Sequence, residues 1–369
     1  MRMLRFADEF GPEKIIEVHN PKVGLMGVLV IDSTALGVGK GGIRMTPTVN
    51  TEEVFRLARA MTWKTALAEL PFGGAKSGII ADVKKIIPEE KRRIVTEFGR
   101  ALKPVCPSQY VAAPDVYTGE EEMRWFVEGN GSFKSATGKP QDIGGIPHEL
   151  GSTGFGVAHA AKVACEHLSM DVSNMTVSIE GFGNVGSFAA KFLSDWGAKI
   201  IAVSDSKGCI YSNEGLDFNK LNEVKHETGS VINYPKGEVL SHDSIFEIPV
   251  DIVIPAALPD VINKNNVNKV KARIIVEGAN IPITVGAEEM LDRECTLIVP
   301  DFVANAGGVI SSYIEYEYGY DPKKAFEMIE QKIKKNVKIV LDKADEIRVK
   351  PRNAALEIAK ERVRKAMKQ

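Results

Sequence analysis

The chain has 369 residues, more than one ordinary hydrophobic core serves, so two domains of roughly 100–200 residues each are expected. With 44% hydrophobic and 26% charged residues it has the composition of an ordinary soluble globular protein. A net charge of -2 lacks the basic excess that nucleic-acid binders carry. The four cysteines, Cys106, Cys165, Cys209 and Cys295, include no C-x-x-C pair, so neither a zinc site nor a redox dithiol is suggested and no metal is assigned. Asp8 and Glu9 arrive before a signal-peptide core can form, and no apolar run approaches the ~20 residues of a membrane span. A cytoplasmic protein is expected, with neither nucleic acid nor membrane as partner.

In chain order, residues 23–31 read as a buried strand, followed by the glycine-rich turn 37–44. Apolar positions 54, 57, 58, 61 and 65 have helical spacing and predict a helix over 51–69, with Thr51 near its start. A second glycine cluster occupies 71–78. Pro88 opens a helix predicted over 88–103. A short strand over 110–115 ends at Asp115. Residues 129–154 are rich in Gly, Ser and Pro, which places the domain boundary there. From 155 onward helices and short apolar strands alternate: helix 155–168, strand 176–179, helix 184–196, strand 199–203, then strands 251–254, 273–276 and 296–299. Such alternation implies a parallel sheet covered on both faces. The tail, 322–369, is charged and helical in pattern. The expected fold class is α/β in two domains. An N-terminal α/β substrate and oligomerisation domain covers 1–145 and is completed by a C-terminal helix of about 345–369. A Rossmann-type doubly wound dinucleotide-binding domain covers 146–344.

Strand 176–179 runs into Gly181-Phe182-Gly183-Asn184-Val185-Gly186 and then a helix. A G-x-G-x-x-G alone is weak, but here a strand precedes it, a helix follows, and Asp205 ends the next strand 19 residues past Gly186. Gly181 permits the tight turn, Gly183 lets backbone approach a pyrophosphate at the helix N-terminus, and Gly186 allows close packing of helix on strand. Asp205 is placed to accept from the adenosine ribose, which favours NAD because a carboxylate repels a 2′-phosphate. Ser206 and Lys207 could contact that phosphate, so NADP stays open.

Three lysines, Lys40, Lys64 and Lys76, lie on or beside glycine-rich or apolar segments. Glycines on both sides of Lys76 suggest close backbone approach to a ligand. Lys64 shares a helix face with Ala60 and Leu57, the side that should be buried. Clustered lysines depress one another's pKa and form an anion pocket; unrelated surface lysines are the bland alternative.

The segments Lys40-Gly-Gly-Ile-Arg44, Met61-Thr-Trp-Lys64, Pro71-Phe-Gly-Gly-Ala-Lys76, Ala113-Pro-Asp115, Gly181–Gly186, Ile254-Pro-Ala-Ala257, Val276-Glu-Gly-Ala-Asn280 and Asn305-Ala-Gly-Gly-Val309 occur in the order found in one family. Over nearly its whole length the chain resembles the glutamate/leucine/phenylalanine/valine dehydrogenases. The resemblance implies NAD(P)-dependent oxidative deamination of an L-amino acid to a 2-oxo acid and ammonia. It implies a first domain that holds substrate, a second that holds the dinucleotide, and a cleft that closes for hydride transfer. It makes Lys76 the catalytic lysine and Asp115 its proton-handling partner, and gives the substrate α-carboxylate to Lys64. It sets Thr153, Asn280 and Asn305 around nicotinamide and substrate, with Phe182, Asn184, Val185 and Ala257 along the dinucleotide. In the glutamate-specific members the residues matching Lys40 and Ser312 grip the side-chain carboxylate, so glutamate is the expected substrate. The expected partners are small molecules and further copies of the chain, with a hexamer as the first expectation.

Physical reasoning fits these roles. Water must attack the iminium carbon once hydride has left Cα. A lysine can take that water's proton only if its pKa falls from ~10.4 toward ~7–8. Nearby positive charge and a dry site act in that direction. Three departures from the family pattern stand out. The chain lacks the helices that usually precede the first strand. Glu149 stands where an arginine is found. Ser77 follows Lys76 where glycine is usual. If Glu149 pairs with Lys40, the substrate becomes another L-amino acid; a nucleotide-binding relative without activity is the alternative outside enzymes.

Overall fold

In a computed structural model, which describes residues 6–147 and 150–368, the chain divides into two compact units. One runs up to Leu150 and includes Val309–Ala325 and the chain from Leu356 onward. The other comprises Gly151–Gly308 and Phe326–Ala355. The C-terminal return expected over about 345–369 is made by the chain from Leu356 onward, within a helix of Pro351–Ala366, while the preceding helix ends at Ile347. Pro351 lacks the N–H that a continuing helix needs, and the break falls just before it.

The first unit holds β1 (Lys14–Asn20), β2 (Leu25–Ser33), β3 (Gly39–Lys40), β4 (Ile43–Thr46), α1 (Thr51–Leu67), β5 (Gly73–Ile80), α2 (Pro88–Ala101), β6 (Tyr110–Val111) and α3 (Glu120–Asn130). Its sheet has the order β1-β2-β5-β3-β6, with β4 also paired to β5. β2 joins β1 and β5 antiparallel, whereas β3, β4 and β6 run parallel to their partners. Helix α1 begins as Asn50, not Thr51, caps it, its side chain accepting from Glu53 N. From Gly73 onward the cluster at 71–78 is a strand at the centre of the sheet. Its glycines serve packing: a Cβ on Gly74 would lie 2.3 Å from the backbone N of Thr62 on α1. Strand β5 thus brings its backbone against the helix. One core lies between the sheet and α2 and α3, built on Leu29, Ile31, Ile79, Phe98 and Phe126.

The second unit contains α4 (Ser152–His167), β7 (Thr176–Glu180), α5 (Asn184–Asp195), β8 (Lys199–Asp205), β9 (Gly208–Tyr211), α6 (Phe218–Thr228), β10 (Glu238–Leu240), β11 (Val250–Pro255), β12 (Ala272–Val276), α7 (Val285–Arg293), β13 (Leu297–Val299) and the short α8 (Asp301–Ala304). Helices α9 (Gly307–Tyr318), α10 (Pro322–Ile347) and α11 (Pro351–Ala366) complete the chain and are shared between the units. The sheet order is β10-β9-β8-β7-β11-β12-β13. Strands β8, β7, β11, β12 and β13 are parallel, and β9 and β10 add an antiparallel edge. β7 lies between its successor β8 and the later β11, so the chain order reverses there. Ligands of doubly wound sheets bind at the carboxyl ends of strands at such a switch point. No helix among the described residues is long and apolar enough to cross a membrane.

Candidate active site and dinucleotide site

In the first unit, Lys76 lies in β5, opposite Val30 of β2, with Ser77 opposite Ile43 of β4. Asp115 is delivered by the segment after β6, which runs beside β4: Ile43 N donates to Ala113 O at 2.9 Å, and Thr118 Oγ1 bridges Asp115 N and Ile43 O. The outcome is an ion pair, Lys76 Nζ to Asp115 Oδ2 at 3.1 Å, with both side chains largely buried. Burial pushes the Lys76 ammonium below the ordinary lysine range; Asp115 opposes this and Arg44 adds to it. For Asp115, burial pushes the carboxyl up, but the charges of Lys76 and Arg44 outweigh that and hold it below the usual carboxylate range. Arg44 reaches Asp115 Oδ2 through Nε at 3.0 Å and Glu53 through Nη1 at 2.7 Å. Arg44 ends the Lys40–Arg44 motif, and nothing local in the sequence assigns it a role.

Lys40, in β3, is 1% exposed and donates to Ala112 O at 2.7 Å. Burial lowers its pKa to about 7, with Glu315 opposing and Lys139 and Lys76 assisting. The backbone N of Thr137 donates to the same carbonyl, and the fully buried Thr137 hydroxyl has no partner among the described residues. Ser312 is half-buried on α9, one turn before Glu315. Glu315 carries no signal in the sequence. Its carboxylate pairs with Lys139 Nζ at 2.6 Å and accepts from the backbone N–H groups of Gly138, Lys139 and Ile146. Lys64 lies half-buried in the last turn of α1. Ser77, the departure beside Lys76, is fully buried and hydrogen-bonds the Tyr110 hydroxyl at 2.9 Å. Glu149, the charge reversal, lies outside the described residues.

In the second unit, Gly181 has φ +91°, and a Cβ on Gly186 would fall 1.9 Å from Gly181 O, so the turn and the helix that follows pack backbone to backbone. Gly183 caps α5, and a Cβ there would meet nothing within 4 Å. As the N-cap of α5, Gly183 has no side chain to cap it. Asn184 and Val185 are half-exposed in its first turn, while Phe182 is buried against Phe218. An open glycine before an uncapped helix N-terminus suits a pyrophosphate, which needs backbone N–H groups and close approach. Ala257 follows β11 beside this turn: a Cβ on Gly181 would lie 2.5 Å from that of Ala257.

On the other flank, Asn305 Nδ2 donates to Gly278 O, Ala279 O and Asn280 Oδ1 at 3.2–3.3 Å, bringing Asn280 and Asn305 together. Thr153 lies in the first turn of α4, where a Cβ on Gly308 would be 3.0 Å from its hydroxyl. The loop carrying Asn280 is braced from beneath by Arg352, which pairs with Glu277, Glu288 and Asp301 at 2.6–2.9 Å. Burial drives the Glu277 carboxyl up to about 8 despite Arg352. That brace was not foreseen either, since its members are spread over 75 residues.

Asp205 departs from expectation. Its carboxylate is turned inward and accepts from Lys225 Nζ (2.7 Å), Val231 N (2.9 Å), Lys207 N (2.9 Å) and Ser230 Oγ (3.1 Å). Four donors fill the acceptor positions of a carboxylate. The Lys225 charge and these donors outweigh the effect of burial and hold Asp205 ionised. Ser206 and Lys207 are exposed between β8 and β9.

A glycine turn at the switch point of a doubly wound sheet, in a chain that also buries a lysine–aspartate pair, defines a dinucleotide-dependent oxidoreductase. Comparison with known proteins makes the class specific. Residues 144–369 match the family described as Glutamate/Leucine/Phenylalanine/Valine dehydrogenase, and residues 12–130 match the Glu/Leu/Phe/Val dehydrogenase dimerisation domain. The chain is 42% identical over 353 residues to the glutamate dehydrogenase of Aeropyrum pernix, covering 91% of this chain and 84% of that protein. It is 42% identical over 319 residues to the NADP-specific glutamate dehydrogenase of Saccharolobus shibatae, covering 83% and 75%. The hetero-hexameric glutamate dehydrogenase of Thermus thermophilus in its Leu-bound form superposes with a TM-score of 0.86 at 28% identity, covering 96% and 89%. The chain belongs to the glutamate/leucine/phenylalanine/valine dehydrogenase family, whose members are NAD(P)-dependent amino-acid dehydrogenases.

Proposed function

We propose that the protein oxidises L-glutamate reversibly to 2-oxoglutarate and ammonia with NAD(P). The observation that carries the choice of glutamate is the state of Lys40. It is a fully buried lysine with no carboxylate partner among the described residues. Glu315 is the acid whose charge it senses, but that carboxylate is already committed to Lys139 and three backbone amides. Burying a cation without an anion is costly, and a side-chain carboxylate on the substrate supplies one. Ser312, a turn from Glu315 on α9, offers a hydroxyl to the same group. A charge-assisted hydrogen bond of this kind contributes about 1.5–3 kcal/mol, or roughly 10- to 150-fold in preference over an apolar side chain.

In this reading Lys64 binds the α-carboxylate and Lys76 is the catalytic base. Gly181–Gly186, with Thr153, Ala257, Asn280 and Asn305, would hold the dinucleotide, which would supply the hydride acceptor for Cα. Lys76 takes a proton from the water that adds to the resulting iminium carbon, and Asp115, 3.1 Å away, passes a proton to the departing amine. Burial lowers the Lys76 pKa and so favours its neutral form, and the ionised Asp115 can take up that proton from Lys76 before passing it to the amine. On the cofactor side, the matched charge of Asp205 removes the expected repulsion of a 2′-phosphate, so both NAD and NADP are accommodated, with Ser206 and Lys207 as its contacts. The outer edge of β1 and the match to a dimerisation domain support a homo-oligomer, with a hexamer as the first expectation.

Cofactor-reduction assays over a panel of L-amino acids test the substrate. Glutamate should exceed leucine and norvaline in kcat/KM by at least tenfold, and Lys40→Leu with Ser312→Val should reverse that order. An unmodified enzyme that prefers an apolar or basic amino acid would overturn the assignment.

A further inference from the structure

The Lys76–Asp115 pair has a third member. Arg44 places Nε 3.0 Å from Asp115 Oδ2, the same oxygen that Lys76 Nζ approaches at 3.1 Å. Its Nη1 is 2.7 Å from Glu53 Oε1 in the first turn of α1. Four side chains from β5, the segment after β6, β4 and α1 thus form one line: Lys76, Asp115, Arg44, Glu53. The line is partly withdrawn from water, with Lys76, Asp115 and Arg44 between 10 and 21% exposed and Glu53, at its end, 34%.

A simple lysine–aspartate pair resists the chemistry required of it. If Asp115 had only Lys76 as partner, deprotonating the lysine would leave a nearly buried carboxylate unpaired, and the lysine would hold its proton. A guanidinium on the same oxygen changes this. It keeps its own proton at any working pH, so Asp115 stays paired when Lys76 becomes neutral. We propose that Arg44 is a positioning residue for the reaction: it holds Asp115 ionised and aimed, and frees Lys76 to act as base, with Glu53 fixing the guanidinium in turn. This rests on the reading of Lys76 and Asp115 as the catalytic pair.

The charged groups around Lys76 bear on its titration as follows. Asp115 raises its pKa, Arg44 lowers it and Glu53 raises it, and Lys76 in turn lowers that of the buried Lys40 in β3. Lys64, on α1, shares that helix with Glu53. Arg44 touches the pair directly, through Asp115.

The test is the pH profile of kcat/KM for glutamate in Arg44→Gln and Arg44→Lys, with dinucleotide binding as a control. In Arg44→Gln the acid limb should move to higher pH by about one unit or more, since a cation that depresses Lys76 has gone. Its kcat should fall about 10- to 100-fold while dinucleotide affinity stays within threefold. Arg44→Lys should bring the limb back to within half a unit but recover only part of kcat, because one ammonium does not span both Asp115 and Glu53 in fork geometry. If Arg44→Gln does not fold, Glu53→Gln replaces it: the cation remains but is loosened, so kcat should fall about 3- to 10-fold, with the limb moving slightly to lower pH because Glu53 raises the Lys76 pKa. A reduced kcat with an unmoved limb in Arg44→Gln, a limb displaced equally in Arg44→Lys, or an unchanged kcat in Glu53→Gln overturns the proposal. Near-normal turnover in Lys76→Ala would instead remove the catalytic pair on which it rests.

Discussion

Around Gly181–Gly186 the binding surface is main chain: an open glycine, an uncapped helix start and a strand end, all within six consecutive residues. Around Lys76 it is the reverse. Charged side chains there come from separate segments and meet in pairs 71 and 176 residues apart in sequence, Arg44 with Asp115 and Lys139 with Glu315. The difference follows from what each ligand needs. A pyrophosphate needs dipoles that the backbone already has, and glycine only removes obstruction. Proton transfer at an amino acid needs groups whose charge can change, and those must be buried, paired and tuned by their neighbours. The second kind of site is exposed to single substitutions in a way that the first is not.

The sharpest break of that comparison is Lys76→Ala. Removing the general base should lower kcat by about 10²- to 10⁴-fold. Dinucleotide affinity, measured by fluorescence titration, should be unchanged within twofold, because no group of the glycine turn is touched. Parallel losses in turnover and dinucleotide binding would mean that the two sites do not divide the labour as described.

The same contrast explains what could be read from the sequence. The nucleotide turn was legible because its physics is local: strand, glycines and helix follow one another, and the turn lies where the motif places it. Lys76 and Asp115 were legible as candidates, since glycines flank one and a strand delivers the other, yet their 3.1 Å pairing was not. Strand β1 escaped notice because its residues Lys14–Asn20 are half-buried to exposed and carry no clean alternation. The glycine cluster at 71–78 carried no strand signal, and from Gly73 onward it is the central strand β5, since the reason for its glycines is the approach of α1. Nothing local separates Glu315 from Glu317 two residues on; only the fold buries the first and exposes the second. Asp205 was found at the right place, at the end of β8, but its partners Lys225, Ser230 and Val231 lie 20–26 residues further on.

A second substitution sharpens the side-chain half of the comparison. Lys139 and Glu315 are 6 and 1% exposed in their side chains, so Lys139→Met leaves a buried carboxylate without its cation. Breaking a buried pair by removing one partner typically costs about 3–5 kcal/mol. The three backbone amides that remain on Glu315 set the expectation at the lower end, about 3 kcal/mol by urea denaturation. Freed from Lys139, the Glu315 charge also becomes available to Lys40, so the KM for glutamate should rise. A loss below about 1 kcal/mol would show that backbone amides alone hold Glu315.

The smallest effect is expected where a side chain intrudes on the main-chain site. Asp205 Oδ2 has Lys225 Nζ at 2.7 Å, and that ammonium is the charge that offsets the carboxylate. In Lys225→Met the donors Val231 N, Lys207 N and Ser230 Oγ remain, so Asp205 stays ionised and in place but is no longer neutralised. A 2′-phosphate held by Ser206 and Lys207 would then face an uncompensated negative charge, for which two unit charges about 7 Å apart set the scale. At an effective dielectric constant of 20 two such charges interact by roughly 2 kcal/mol, and partial exposure of Lys225 reduces this to about 1 kcal/mol. The KM for NADP should rise about fivefold, that for NAD should change little, and the NADP effect should shrink with added salt because exposed charges are screened. If both cofactors weakened equally, Lys225 would be supporting the loop between α6 and β10 rather than balancing Asp205. If neither changed, the phosphate would lie away from β8, and the exposed turn at Ser206 and Lys207 would lose its part in cofactor choice.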